Sequence, residues 1–266
     1  MPPKIIDLSK TDDPRDVVHL AVQALAESRA VIFPTETDYV VAVAARRHGV
    51  ERIAELAVSR EGEPLLSLVV KSVDEAFDWA PRLAGVGQRI ARRCWPGPVS
   101  LIVADDHAES LVHRLPEAAR RSVVGNGRLR LRVPGHPLLG DCLRMLDGPV
   151  AVAEPDPAGR GVPVTAVECL ERCGEEITLV LDDGRTRYAQ PPTTISVDPS
   201  SFQVVRPGVI AEESIRRLAS LMVLFVCTGN TCRSPMAESL FRDMVAKQLG
   251  CRPDEIESQG VVVDSA

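Results

Sequence analysis

Aromatic residues are scarce in this chain: five Phe, two Trp and two Tyr make up only 3% of its 266 residues. Its cores must therefore be built from Val, Leu, Ala and Ile. No apolar run reaches the roughly 20 residues that a membrane-crossing helix needs, and the opening Met1-Pro-Pro-Lys-Ile-Ile-Asp7 lacks a secretory hydrophobic region. These absences predict a soluble, cytoplasmic protein with no membrane partner. Paired cysteine spacing is also missing. The seven cysteines are an odd number and scattered, which excludes a disulfide framework and fits a reducing compartment. Cys169 and Cys173 stand four apart with no histidine near them, so no metal site is expected. Positive charge is in deficit, with a formal net charge of −6, and this argues against broad electrostatic binding of nucleic acid. The basic clusters are Arg120-Arg121 and Arg128-Leu-Arg-Leu-Arg132, the second reading as an alternating strand with its arginines on one face.

Strand-like and helix-like segments alternate along the first 220 residues. Helical spacing covers 16–28, 50–58 and 137–146, with one or two helices in 74–94. Short apolar strands fall at 30–33, 65–70, 99–103, 128–133, 150–153 and 177–181. This predicts a layered α/β domain on a mixed, twisted sheet. A helix-like 211–220 leads directly into Met222, so the domains are expected at 1–220 and 221–266.

Residues Val226-Cys-Thr-Gly-Asn-Thr-Cys-Arg-Ser-Pro235 sit between the apolar Met222–Val226 and a helical run from Met236. A strand, tight loop and helix in this order aim backbone N–H groups and a helix N-terminus at one anion. A thiol in that field, next to Arg233, should lose its proton easily. The stretch resembles the signature of the low-molecular-weight protein tyrosine phosphatases, and more closely their protein-arginine phosphatase branch. The resemblance implies Cys227 as nucleophile, Arg233 as phosphoryl clamp and Ser234 as support for the thiolate. Thr228, Gly229, Asn230, Thr231 and Cys232 complete the implied phosphate loop, with Thr231 favouring phosphoarginine over phosphotyrosine. The implied partner is a phosphorylated protein, and no cofactor is called for. The later phosphatase units and the family's general-acid aspartate are not in the chain, which reads as a fragment of that domain.

Phe33-Pro-Thr-Glu-Thr-Asp-Tyr39, Trp95-Pro-Gly-Pro98, Arg132-Val-Pro-Gly-His-Pro137, Pro192-Thr-Thr-Ile195 and Arg206-Pro-Gly208 resemble landmarks of the YrdC-like family, the threonylcarbamoyl-AMP synthases. The resemblance implies a concave pocket for threonine, bicarbonate and ATP. Thr35 and Arg132 fall at the implied threonine positions, Thr193 and Arg206 at the nucleotide positions. The chain departs from the family's Lys-x-Arg-x-x-x-Lys-Pro, carrying Ala57, Ser59 and Glu63 instead, with Arg60 one register away. It carries Glu154-Pro-Asp-Pro-Ala-Gly159 in place of Ser-x-Asn-x-Ser-Gly, and Val40 after Tyr39 in place of glycine. Lost cations and gained carboxylates predict weak ATP binding. The expected function is thus a cysteine-dependent phosphatase acting through a phosphocysteine intermediate, with a degenerate YrdC-like module. The alternatives are an L-threonylcarbamoyladenylate synthase, or a non-catalytic module binding RNA or a nucleotide.

Overall fold

The protein was described from a computed structural model covering residues 2–46, 49–57, 66–156, 160–173 and 177–266. It divides into two units, Met1–Ala211 and Glu212–Ala266. Ser59, Arg60, Glu63, Ala158 and Gly159 lie outside the described residues.

The first unit runs β1 (Lys4–Asp7), α1 (Pro14–Ala26), β2 (Ala30–Pro34), β3 (Tyr39–Ala44), α2 (Val50–Ala54), β4 (Ser67–Val69), α3 (Val73–Trp79), α4 (Gly85–Cys94) and β5 (Val99–Ala104). It continues through α5 (Glu117–Val123), β6 (Val124–Gly125), β7 (Arg128–Arg132), α6 (Pro137–Met145), β8 (Val150–Ala153), α7 (Ala166–Cys173), β9 (Ile177–Asp182), β10 (Thr193–Val197) and β11 (Phe202–Arg206). The strands form one mixed sheet in the order β1-β9-β2-β3-β8-β4-β7-β5-β10-β11, with β6 paired to β7.

Local chemistry explains the helices that cover it. The Asp13 carboxylate accepts the Arg15 N–H at 2.9 Å, and Pro14 begins α1, where its missing donor costs nothing. Val17, Val18, Ala21, Ala24 and Leu25 recur at helical spacing and are buried. They pack with Leu138, Leu139 and Cys142 of α6 onto Val31 and Phe33 of β2 and Val40 and Ala42 of β3. Strand alternation sends Ile32, Val41 and Val43, equally buried, to the opposite face. All six residues of β3 are buried, so this strand reads as an unbroken apolar run.

The second unit is small. Helix α8 (Glu212–Ala219) precedes β12 (Leu221–Phe225), α9 (Arg233–Leu249) and β13 (Val261–Ser265), and the two strands pair in parallel. Gly250, at φ 69°, ends α9 in the left-handed conformation that glycine adopts without strain. Ala246, Ile256 and Val263 form its core, joined by the edge-to-face pair Phe225 and Phe241 at 5.6 Å. Met222, Leu224 and Val226 remain exposed along one side of β12.

Candidate active site

Three of the sequence landmarks converge on one point in the first unit. Strands β2 and β3 are joined by the turn Thr35-Glu-Thr-Asp38, which is buried throughout. The Thr35 hydroxyl donates to the Asp38 main-chain carbonyl at 2.7 Å and accepts the Asp38 N–H at 3.1 Å, so the turn closes on its own side chain. Arg132, at the end of β7, is only 3% exposed and reaches into this turn. Its guanidinium donates to Thr37 Oγ1 at 2.7 Å, Glu36 Oε1 at 3.1 Å, Thr35 Oγ1 at 3.4 Å and Asp38 Oδ1 at 3.5 Å. The Gly135 N–H donates to Glu36 Oε2 at 2.9 Å, and the Gly97 N–H donates to the Val133 carbonyl at 2.9 Å. The Trp95-Pro-Gly-Pro98 and Arg132–Pro137 segments are thereby tied to the Thr35–Asp38 turn. Burial opposes the Arg132 charge, but the Glu36, Asp38 and Glu154 carboxylates outweigh it and hold the arginine protonated. Asp38 is pushed upward, first by burial and then by the Glu154 charge.

A cleft opens beside this knot, lined by Ser67 of β4, Arg130 of β7, Val152 of β8, Glu154, Asp156 and Arg206 of β11. Arg206 donates to Glu154 Oε2 at 2.6 Å. Asp156 stands 3.9 Å from Arg172 of α7. Burial alone would raise Glu154, but Arg206, then Arg130 and Arg132, hold its carboxyl below the ordinary range. Gly208 explains why the Arg206 segment lies where it does. A Cβ there would come within 2.3 Å of the Pro191 carbonyl and 2.6 Å of the Thr193 nitrogen, so only glycine lets the exit of β11 press against the entrance of β10.

The implied threonine residues, Thr35 and Arg132, do meet. Of the implied nucleotide residues, Arg206 faces the cleft, but Thr193 does not. Its hydroxyl donates to the Ile210 carbonyl and accepts the Ile210 N–H, both at 2.9 Å, and so closes the loop after β11. Sequence reasoning missed Arg130, which the alternation in Arg128-Leu-Arg-Leu-Arg132 sets on the same strand face as Arg132. It also missed Arg172. The expected weak ATP binding rested on the lost cations at Ala57, Ser59 and Glu63 and on the gained carboxylates Glu154 and Asp156. In the structure Glu154 pairs with Arg206 at 2.6 Å, Asp156 stands 3.9 Å from Arg172, and Arg130 lines the same wall. The Glu154 carboxylate is thus compensated, while Ser59 and Glu63 lie outside the described residues.

The family model for Sua5, YciO and YrdC proteins, described as telomere recombination, matches residues 23–208, well over half of the chain. The chain belongs to the Sua5/YciO/YrdC family. A threonylcarbamoyl-AMP synthase of Pyrococcus abyssi is 25% identical over 203 residues, spanning 76% of this chain and 56% of that protein. A putative threonylcarbamoyl-AMP synthase of Mycobacterium tuberculosis is 27% identical over 195 residues, spanning 73% of this chain and 85% of that protein. The chain thus spans little more than half the length of the Pyrococcus relative. Among solved structures, P. abyssi Sua5 complexed with L-threonine has a TM-score of 0.67 at 16% identity, covering 100% of this chain and 92% of that one. E. coli YciO has a TM-score of 0.62 at 20% identity, covering 78% of this chain and 95% of that one. These two structures establish the mixed α/β fold.

The phosphatase expectation is overturned as the function of this protein, and with it the phosphorylated-protein partner. The model for low-molecular-weight phosphotyrosine protein phosphatases matches residues 222–265 alone, whereas the relatives from Pyrococcus abyssi, Mycobacterium tuberculosis and Bacillus subtilis are named as threonylcarbamoyl-AMP synthases, the mycobacterial one as putative. The matched segment supplies a two-stranded sheet and a helix, far from the several βα units of a doubly wound domain. Within it, Cys227 has a thiol pKa lowered to about 6, chiefly by the Ser234 hydroxyl and then by the Gly229 main chain. The Ser234 hydroxyl, and not Arg233, is the largest contributor to that shift. The Arg233 guanidinium donates to Thr228 Oγ1 at 3.3 Å. Asn230, at φ 44°, donates to the Ser265 carbonyl at 3.1 Å and fixes the loop shape. Cys232 is exposed and caps α9 without a side-chain hydrogen bond. Among the described residues no group of His, Cys, Asp and Glu side chains has the makings of a metal site, and no helix is long and apolar enough to cross a membrane.

Proposed function

We propose that this chain is an L-threonylcarbamoyladenylate synthase, joining threonine, bicarbonate and ATP into threonylcarbamoyl-AMP with release of pyrophosphate and water. The observation that carries the reading is the convergence of the Arg130 and Arg206 guanidiniums on one cleft beside the Arg132-clamped turn. Membership of a family whose matched relatives bear that name supports it. The chemistry needs two anion-handling steps in one pocket. Threonine's amine must be carboxylated to a carbamate, and the carbamate oxygen must attack the α-phosphorus while pyrophosphate leaves. Positive groups fixed in a low-dielectric cleft stabilise the charge that grows on the leaving phosphates. Arg130 and Arg206 line the cleft and suit the phosphates. Arg132 holds the Thr35–Asp38 turn, presenting Thr35 and its neighbours to the amino acid. The product is an activated carbamoyl donor, and transfer to an adenosine of tRNA would consume it.

The test is incorporation of labelled bicarbonate into an adenylate by the full chain. Label should enter only when ATP and threonine are both supplied, with pyrophosphate appearing in equal amount. Absence of product together with absence of ATP binding would defeat the proposal.

A further inference from the structure

One acid of this cleft is paired with an arginine that lines the same cleft. Glu154 follows β8 directly, and its carboxylate seats on Arg206 at 2.6 Å, with both side chains largely buried at 13% and 15% exposure. The cations that act on it most strongly come from strands across the cleft: Arg206 from β11, and Arg130 and Arg132 from β7. Asp38, at the foot of β3, faces it as a like charge. Asp156, two residues on, stands 3.9 Å from Arg172 of α7. The room left between the cleft walls is about 120 Å³, below the roughly 300 Å³ at which small-molecule sites begin. A nucleotide would need the cleft to widen, and the Glu154 side chain on Arg206 is one of the groups that line it.

We infer that Glu154 is an internal competitor for the anionic part of the ligand, its carboxylate taking the bond on Arg206 that a phosphate oxygen would take. The inference rests on the nucleotide reading of the pocket and adds to it the residue that sets affinity. A phosphate entering the cleft must displace a carboxylate from a guanidinium, exchanging one charge-assisted hydrogen bond for another. Binding then gains only the difference between the two. Neutralising Glu154 removes this carboxylate from Arg206 in the free protein, and a phosphate oxygen can take its place.

The measurement is calorimetric affinity of the full chain for ATP and for inorganic pyrophosphate, with melting temperature recorded at each ligand concentration. Glu154→Gln and Glu154→Ser should melt lower than wild type without ligand. Both should bind ATP and pyrophosphate roughly tenfold tighter or more, with correspondingly larger ligand-induced shifts in melting. Glu117→Gln, at an exposed acid of α5 that pairs with Arg121 and does not line the cleft, should change affinity less than about threefold. If wild type binds ATP and neither Glu154 variant binds tighter, the competitor role is wrong while the synthase reading stands. If neither wild type nor variants bind ATP or pyrophosphate, both fall. Glu154→Ser keeps the test alive should the glutamine variant misfold.

Discussion

Arg132 offers the sharpest test of how the site is built, because it neutralises two buried carboxylates at once. Replacing it with methionine, similar in reach but uncharged, leaves Glu36 and Asp38 without their cation in a turn that stays dry. Breaking a buried pair by removing one partner costs about 3–5 kcal/mol. For a domain of this size each kcal/mol moves the melting temperature by about 2–4 °C, so Arg132→Met should melt about 6–20 °C below wild type. The loss should depend on pH in a defined sense. Asp38 is already held above the ordinary carboxylate pKa, and removing Arg132 raises it further. A carboxyl whose folded pKa exceeds its unfolded value near 3.9 weakens the fold as pH rises above that value. The deficit of Arg132→Met should accordingly be smaller at pH 5 than at pH 8. Denaturant unfolding at both pH values measures it, and the triple variant Arg132→Met/Glu36→Gln/Asp38→Asn should recover much of the loss. A deficit under about 1 kcal/mol, the value of an exposed pair, would show that the knot is solvated and the account of the turn is wrong.

Other residues give independent checks. Gly208→Ala should destabilise the first unit by about 1–3 kcal/mol, the cost of overpacking, read by denaturant titration; an unchanged midpoint would mean the two backbones do not meet. The Tyr39 hydroxyl donates to the Gly184 carbonyl at 2.7 Å and accepts the Asp183 N–H at 2.9 Å. Tyr39→Phe should therefore cost about 1–3 kcal/mol by leaving both unpaired, and a smaller loss would place water there. Cys227 should alkylate with iodoacetamide along a curve with its midpoint near pH 6, not at the ordinary ~8.5. Ser234→Ala should move that midpoint upward, and by more than Arg233→Gln does; the reverse ranking would return the thiolate to the arginine.

The sequence carried the fold further than it carried the site, and particular residues show why. Glycine and proline punctuate the landmarks at 33–39, 95–98 and 132–137, and such turns have few solutions, so their order was enough to indicate an α/β sheet domain. Strand β3 escaped notice because Tyr39 was read as the end of a motif, although Val40-Val-Ala-Val-Ala44 is an apolar run. Strands β10 and β11 were passed over as well, their residues read as landmarks and not as part of the sheet. The site was harder. Thr193 sits in the family's position yet turns its hydroxyl to Ile210, a contact that only the chain path after β11 creates.

The charges show where position-by-position reading fails. A sequence states that Glu154 and Asp156 are acidic but not that one meets Arg206 and the other Arg172, each partner lying far along the chain. Counted singly, the two acids oppose a nucleotide; in the structure Glu154 and Arg206 offset one another in the wall that Arg130 also lines. In a buried cleft the sign that a ligand meets is set by which pairs it must break. The same acids that argued against a nucleotide thus mark one contact, Glu154 on Arg206, as the one a phosphate has to open.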